Sequence, residues 1–366
     1  MVLEEDYWRE IEDIEKRYFT LISNFDMSYP KPLNLQQEKR RFFSAIADDE
    51  VYNPQFVYEK KHFDDSLIEK LENFKINPSG DLYNIKKLYF DRIKTKLYEI
   101  YSHKSWGREE SGYWEIKSKG KPSRFLLAKA KLFCKTYKRE KVRFTRVSAK
   151  VAGKELKEEV FRLCSENVRI IFKDMASKVS INPSSKTITL NPNERFTTLD
   201  IKRLKVHEIG VHYLRYFNGK KSCLRILESG TSNYIEIEEG LAVYMEEISG
   251  VSSRAQMFIY AGRVIATFYA LRCSFYEVYQ ILRDYGFKRQ DAFAITFRAK
   301  RNMMDTSLKG GFTKDYVYFS GYLKVKKYAR FHKIDNLFIG KVKISDLKIL
   351  KKYLKEKKFE ITCPRK

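Results

Sequence analysis

Apolar side chains recur along the first hundred residues with helical spacing. Within residues 4–23 they fall at Tyr7, Ile11, Ile14, Tyr18, Leu21 and Ile22, one face of an amphipathic helix. A turn-rich stretch follows, marked by Pro30, Pro32 and Asn53-Pro54. A second helical pattern runs from about Asp81 to Tyr101, carried by Leu88, Ile93, Leu97 and Ile100. Gly107 to Gly120 reads as a seam, and from Val168 the rhythm changes. Val168–Phe172 is a strand candidate; Val179-Ser180-Ile181 and Lys186–Leu190, joined by Asn182-Pro183-Ser184-Ser185, predict a β-hairpin. Asn191-Pro192-Asn193 ends it. A helix then opens at Thr197 or Thr198, with Asp200 in the first turn where it suits the dipole, and buries Leu199, Leu204, Val206, Ile209 and Leu214. Further helices are expected at Ile237–Ile248, Ala255–Leu271, Phe275–Tyr285 and Gln290–Lys300. The last, Ser345–Lys358, should begin on a Ser cap and bury Leu347, Leu350, Tyr353 and Leu354. Helices, a short sheet, then helices again indicate an α+β fold rather than a doubly wound sheet. Residues 1–110 read as a mostly helical N-terminal region and 111–366 as the main domain, unless the two are continuous.

Composition narrows the class. With 43% hydrophobic residues in 366, the chain can bury a sizeable core, and only 16 Gly and 8 Pro argue against long flexible linkers. No charge-free run approaches the roughly 18 residues of a membrane span. The acidic opening Met1-Val2-Leu3-Glu4-Glu5-Asp6 predicts no secretory signal. Five cysteines, odd in number and never closely paired, exclude a disulfide framework and a four-cysteine zinc site, and fit the reducing cytoplasm. The formal charge of +25 predicts attraction to an acidic partner: nucleic acid, an anionic membrane face or an acidic polypeptide. Lysines coating the surface would give the same figure, so charge alone names no function.

The chemistry gathers around two of the five histidines, in His207-Glu208-Ile209-Gly210-Val211-His212. On an ideal α-helix, residues five apart are separated by about 140°, too far to share an ion. A π-type turn brings them into line, and Gly210 is where such a distortion costs least; one is therefore predicted over Glu208–Val211. A two-histidine zinc site needs a third protein ligand and an open position. The candidate is Glu239 in Glu238-Glu239-Gly240-Leu241-Ala242-Val243-Tyr244-Met245-Glu246, with Glu246 two turns on along the same face. Glu238, about 100° away around the helix, is the competing ligand. The bland reading makes Glu238, Glu239, Glu246 and Glu247 a solvated acidic face.

The Glu239–Glu246 segment resembles the Glu-Gly-Phe-Ala-x-Tyr-x-Glu segment of gluzincin aminopeptidases, whose first Glu binds zinc. It is more similar to the tyrosine-metallocarboxypeptidase family: animal microtubule-associated tyrosine carboxypeptidases and bacterial relatives named for a Gln-Glu-Gly-Leu-Ala motif. The family pattern His-Glu-Ile-Gly-x-His, then Arg and Asn-Gly, is matched by His207–His212, Arg215 and Asn218-Gly219. Family-like segments also occur at Asn53–Tyr58, Gly120–Ser123, Thr313–Tyr318 and Phe338–Lys341, so the resemblance covers about residues 30–355. One departure is Glu238, where bacterial members often have Gln. The resemblance implies a zincin-like (gluzincin) peptidase with a short mixed sheet, a metal-binding helix pair and helical terminal regions. It also implies a carboxypeptidase preferring C-terminal Tyr or Phe.

The expected roles follow from charge. Zn2+ on His207, His212 and Glu239 would activate a water, with Glu208 as general base and Glu246 orienting a histidine. Tyr318 or Tyr316 are candidate donors to the tetrahedral oxyanion. Arg263, which interrupts an apolar helical run, and Arg298, Arg301 and Lys314 are candidates for the substrate carboxylate. The hairpin strand Lys186–Leu190 is expected to offer an edge to extended substrate. The expected partner is a peptide or protein C-terminal tail, an acidic one given the basic charge, with no membrane. The alternatives are a zinc endopeptidase or aminopeptidase on the same scaffold, a nucleic-acid-binding protein with a structural metal, and a silent peptide-binding relative. Three strong ligands rather than four, and no RNA-module motif, weigh against the nucleic-acid reading. Glu208 weighs against the silent one.

Overall fold

The computed structural model describes every residue except 1, 24, 26–28, 60–61, 78–81, 109, 139–144, 176, 357–360 and 365–366. Two compact units emerge: Met1–Lys138 with Gln256–Phe319, and Arg139–Ala255 with Ser320–Lys366. A single cut at residue 110 does not describe this division, because residues 256–319 pack with the N-terminal segment. The fold is mostly helical with a small mixed sheet, hence α+β. Among the described residues no helix is long and apolar enough to cross a membrane.

The first unit opens with α1 (Val2–Ile22), α2 (Leu35–Ala47), α3 (Asp65–Glu72), α4 (Tyr83–Lys104), α5 (Glu110–Lys119) and α6 (Arg124–Thr136). The expected apolar stripe of α1 is buried at Ile11, Ile14 and Tyr18, and half-buried at Leu21 and Ile22; the Tyr7 side chain lies outside the described ones. In α4, Leu88, Ile93 and Ile100 are buried as the spacing requires. Its expected start at Asp81 lies outside the described residues.

The second unit follows with β1 (Arg146–Val147), α7 (Ala149–Cys164), β2 (Arg169–Phe172), β3 (Val179–Asn182), β4 (Thr187–Leu190) and β5 (Phe196–Thr197). β2, β4 and β3 form a sheet in that order, β2–β4 parallel and β3–β4 antiparallel. The predicted hairpin is thus present. Its turn is held by Asn182 Oδ1, which accepts from the backbone N–H of Ser184 (3.1 Å) and Ser185 (3.2 Å). One expectation is corrected here. The Lys186–Leu190 strand does not present an edge, because β4 lies in the centre with a ladder on each side. An added strand needs unpaired N–H and C=O groups, and in this sheet only β2 and β3 keep them.

Next come α8 (Thr198–Leu204), a π-helical segment (Lys205–Tyr213), α9 (Leu214–Lys221), α10 (Ile226–Ser229) and α11 (Ile235–Ile248). Thr197 caps α8: its hydroxyl accepts from Asp200 N at 3.0 Å, and the Asp200 carboxylate accepts from Thr197 N at 3.0 Å. α12 (Arg254–Ala270), α13 (Phe275–Asp284) and α14 (Arg289–Lys300) match the three expected helices to within a residue at each end. α15 (Val317–Tyr328) and α16 (Leu347–Glu356) complete the chain. Ser345 does not cap α16 as expected. It sits inside a 3-10 turn, Ile344–Asp346, and its hydroxyl donates to the Asp346 carboxylate at 3.3 Å. Leu347 and Leu350 are buried as predicted; the side chains of Tyr353 and Leu354, and the expected end at Lys358, lie outside what is described.

Candidate metal centre

Both predicted helices of the site belong to the second unit. α8, the π segment and α9 run on without a break, and nine residues, Lys205–Tyr213, adopt the wide i→i+5 bonding. The predicted turn, Glu208–Val211, lies inside them. A Cβ on Gly210 would sit 3.3 Å from the Lys205 carbonyl oxygen, so glycine relieves crowding within the widened turn. The two imidazoles consequently lie together, ring centres 4.8 Å apart and nearly perpendicular at 81°.

α11 packs along the π segment. Three of its carboxylates are buried: Glu238, Glu239 and Glu246 are 3%, 6% and 0% exposed, which removes the solvated-face reading for them. Glu239 Oε2 lies 3.5 Å from His207 Nε2 and 3.6 Å from His212 Nε2. Ligands about 2.0–2.1 Å from a tetrahedral ion stand about 3.3–3.5 Å apart. Two imidazole nitrogens and a carboxylate oxygen at these separations therefore fit a zinc ion. Glu208 completes the cluster: with the two histidines it offers donor atoms all within 4.8 Å of one another.

The far nitrogens of both rings meet carboxylates as well. His207 Nδ1 is 2.7 Å from Glu246 Oε1, and His212 Nδ1 is 3.1 Å from Glu238 Oε1. Glu238 thus braces His212 from behind instead of competing with Glu239 for the front. Each bracing acid has its own arginine. Arg203 reaches both oxygens of Glu246 at 3.3 Å. The fully buried Arg215 pairs with Glu238 and donates to the carbonyls of Leu337 (2.9 Å), Gly340 (2.8 Å) and Val342 (2.9 Å).

These contacts set the charge of the pocket. Burial works against protonation of His207, but its hydrogen bonds to Glu239 and Glu246 outweigh it, raising the pKa to about 9. For His212, burial is likewise outweighed by Glu238 and Glu239, raising it to about 10. Burial raises the Glu238 and Glu246 carboxyls, yet Arg215 with His212, and His207 with Arg203, hold both below the usual range. The pocket favours positive charge between the two Nε2 atoms, whether supplied by protons or by a divalent ion.

Sequence reasoning did not assign Arg203 or Arg215 a role. The signal lay in helical spacing: Arg203 is four residues before His207 and Arg215 three after His212, each on its histidine's face. Asn218 also holds scaffold, donating to the carbonyls of Phe338 (2.7 Å) and Thr362 (2.8 Å).

The remaining predicted residues belong to the first unit. Arg298 forms a two-point ion pair with buried Asp315. The Arg263 guanidinium lies over the Tyr318 ring (4.8 Å) and the Tyr260 ring (5.2 Å). Arg301 covers Phe312 at 3.9 Å, and Lys314 lies 5.6 Å from the Tyr29 ring centre. The Tyr316 hydroxyl donates to the Lys119 carbonyl at 2.8 Å, a structural task.

An α+β chain with paired imidazoles facing a buried glutamate has a donor set that could hold a metal ion. A family model described as microtubule-associated tyrosine carboxypeptidase matches residues 40–360, and the chain belongs to that family. It is 25% identical over 334 residues to microtubule-associated tyrosine carboxypeptidase 1 of Mus musculus, covering 88% of this chain and 61% of that protein. The Rattus norvegicus protein of the same name gives 25% over 332 residues, again 88% and 61%. The Homo sapiens protein is 33% identical over 132 residues, 34% of this chain and 27% of its own. The chain thus spans about three fifths of the length of the first two relatives.

Proposed function

We propose that the chain is a zinc-dependent carboxypeptidase of gluzincin-like design that removes a C-terminal Tyr or Phe from peptides or protein tails in the cytoplasm. The observation that carries this reading is the convergence of His207 Nε2, His212 Nε2 and Glu239 Oε2 at 3.5 and 3.6 Å, in a family whose relatives are named tyrosine carboxypeptidases. When bound by these three atoms, zinc would supply Lewis acidity, polarising a scissile carbonyl and acidifying a water.

The chain's own groups do the rest. Glu208, half-exposed beside the histidines, takes the proton of the attacking water and returns it to the leaving amine. Glu246 and Glu238 hold Nδ1 of His207 and His212, fixing the tautomer and aiming both Nε2 lone pairs at one point. Arg203 and Arg215 keep those two glutamates ionised. The net charge of +25 suits an acidic tail, and the relatives' names link them to microtubules.

The test joins metal analysis of the purified chain to mass spectrometry of acidic peptides ending in Tyr. Loss of one C-terminal residue, abolished in Glu208→Gln with zinc retained, is expected. Internal cleavage, N-terminal trimming or undiminished turnover of the variant would overturn the reading.

A further inference from the structure

The π segment, Lys205–Tyr213, is nine residues long, whereas π bonding ordinarily appears as a single-turn bulge. An α-helix would pair the same N–H groups with carbonyls four residues back, so the wide winding has to be held from outside. Leaving the two histidines aside, the segment makes two side-chain hydrogen bonds among the described residues, one at each end. Lys205 Nζ donates to Glu155 Oε2 at 2.8 Å, and both residues are half-buried. The hydroxyl of Tyr213, which is fully buried, donates to Glu166 Oε2 at 2.6 Å.

The acceptor at the second end is itself fixed. Ser165, directly before Glu166, ends α7 in left-handed backbone (φ 54°), its N–H bonded to the Phe161 carbonyl at 2.8 Å. Lys186, just before β4, is also left-handed (φ 51°), and its Nζ lies 2.7 Å from Glu166 Oε1. Two non-glycine residues in this costly conformation thus flank one carboxylate, and such backbone persists only where its surroundings impose it. Burial works against ionisation of Glu166, yet Lys186 and Tyr213 hold its carboxyl below the usual range, so the tyrosine donates to an anion.

Tyr213 also follows His212 directly. Rewinding the segment as an α-helix would set His212 about 140° from His207, and Tyr213 would swing with it, away from Glu166. We propose that Tyr213, anchored by Glu166 and Lys186, is a positioning residue that keeps the π segment wide and so keeps His212 in line with His207. The consequence for zinc rests on the proposed metal centre; the consequence for the winding does not.

Two measurements on the full chain test this: amide hydrogen exchange over residues 205–213 after chelation, and zinc affinity by chelator competition. In Tyr213→Phe and in Glu166→Ala, exchange within the segment should quicken about tenfold or more, the worth of a hydrogen bond to an ionised group. Zinc affinity should fall about tenfold or more. Glu166→Gln keeps an acceptor and should recover part of both losses. The double variant Tyr213→Phe/Glu166→Ala should lie within about twofold of either single one, because the pair acts as one anchor. Tyr322→Phe is the control: it removes another tyrosine–carboxylate bond of the second unit, to Glu247 at 2.9 Å, and should leave both readouts within about twofold. Unchanged exchange in Tyr213→Phe and Glu166→Ala overturns the proposal. So does a uniform quickening across the second unit, the mark of a merely structural bond, or an equal effect in Tyr322→Phe. Quickened exchange with undiminished zinc affinity overturns the positioning role. If the unaltered chain binds no zinc while exchange responds as expected, only the zinc reading fails; if zinc is bound and exchange ignores both variants, only this one does.

Discussion

Gly240 gives the sharpest physical test of how the site is built. It follows Glu239 in α11, and a Cβ there would fall 2.1 Å from the Gly321 carbonyl carbon and 2.4 Å from its Cα, both in the second unit. Gly321 is equally constrained, since its Cβ would meet the Glu236 carbonyl oxygen at 1.8 Å. Two effects of Gly240→Ala oppose each other. Helix propensity favours alanine by about 1 kcal/mol. Against it, ordinary contact lies at 3.4 Å or more, so two backbones must part by about 1.3 Å in a close-packed interior. Overpacking costs about 1–3 kcal/mol when side chains can yield, and here only backbone can, so about 3 kcal/mol or more is expected.

The clash therefore wins, by about 2 kcal/mol or more. Denaturant midpoints of Gly240→Ala and of the unaltered chain measure it. Gly112→Ala in α5 is the control, because its Cβ would make only an ordinary 3.5 Å contact, and it should be neutral or slightly stabilising. A second readout follows from position. Parting α11 from α15 by about 1.3 Å exceeds the roughly 0.5 Å precision such sites require, so bound metal should fall even in the folded variant. A Gly240→Ala chain as stable as the parent, with undiminished metal, would refute the packing argument.

Other outcomes are equally specific. Arg215→Met strands the buried Glu238 and three carbonyls, and should cost about 3–5 kcal/mol by denaturant midpoint; adding Glu238→Gln should return part of it. Glu246→Gln should weaken zinc binding about 10–100-fold in chelator competition, because His207 Nδ1 loses its anionic partner. In the metal-free chain the raised histidines stabilise the fold fully below their unfolded value of about 6.5. That contribution is lost as pH rises through about 9 and 10, so chelated protein should lose stability across this window. A chelated chain whose midpoint stays flat from pH 6.5 to 10 would contradict this. Cleavage of acidic Tyr-ended peptides should slow with added salt while that of basic ones does not, if the charge of +25 recruits substrate.

The sequence reveals the clustering of the candidate site better than the fold around it, for physical reasons. The five-residue histidine spacing is incompatible with a shared ion on an α-helix, so the π segment could be anticipated from spacing alone. Helices α12, α13 and α14 were legible because their apolar faces and start signals agree. Strand order was not legible: short alternating segments pair equally well on either side, and the parallel β2–β4 ladder, which places β4 in the centre, is a long-range choice. Nor was the division into units, since it depends on residues 256–319 returning to the first hundred and thirty-eight.

The bracing arginines show where pattern reading stops and electrostatics begins. Four carboxylates near two histidines look excessive for one divalent ion if each is counted as a ligand. Arg203 and Arg215 remove the excess by neutralising Glu246 and Glu238, which leaves Glu239 against both Nε2 atoms and Glu208 beside the two histidines. The proposed roles follow this difference: Glu239, buried against both imidazoles, is the one suited to be the ligand, and Glu208, half-exposed to water, the one suited to be the base. The same argument accounts for Glu238 itself: its charge is cancelled within the chain, by Arg215, on the far side of His212.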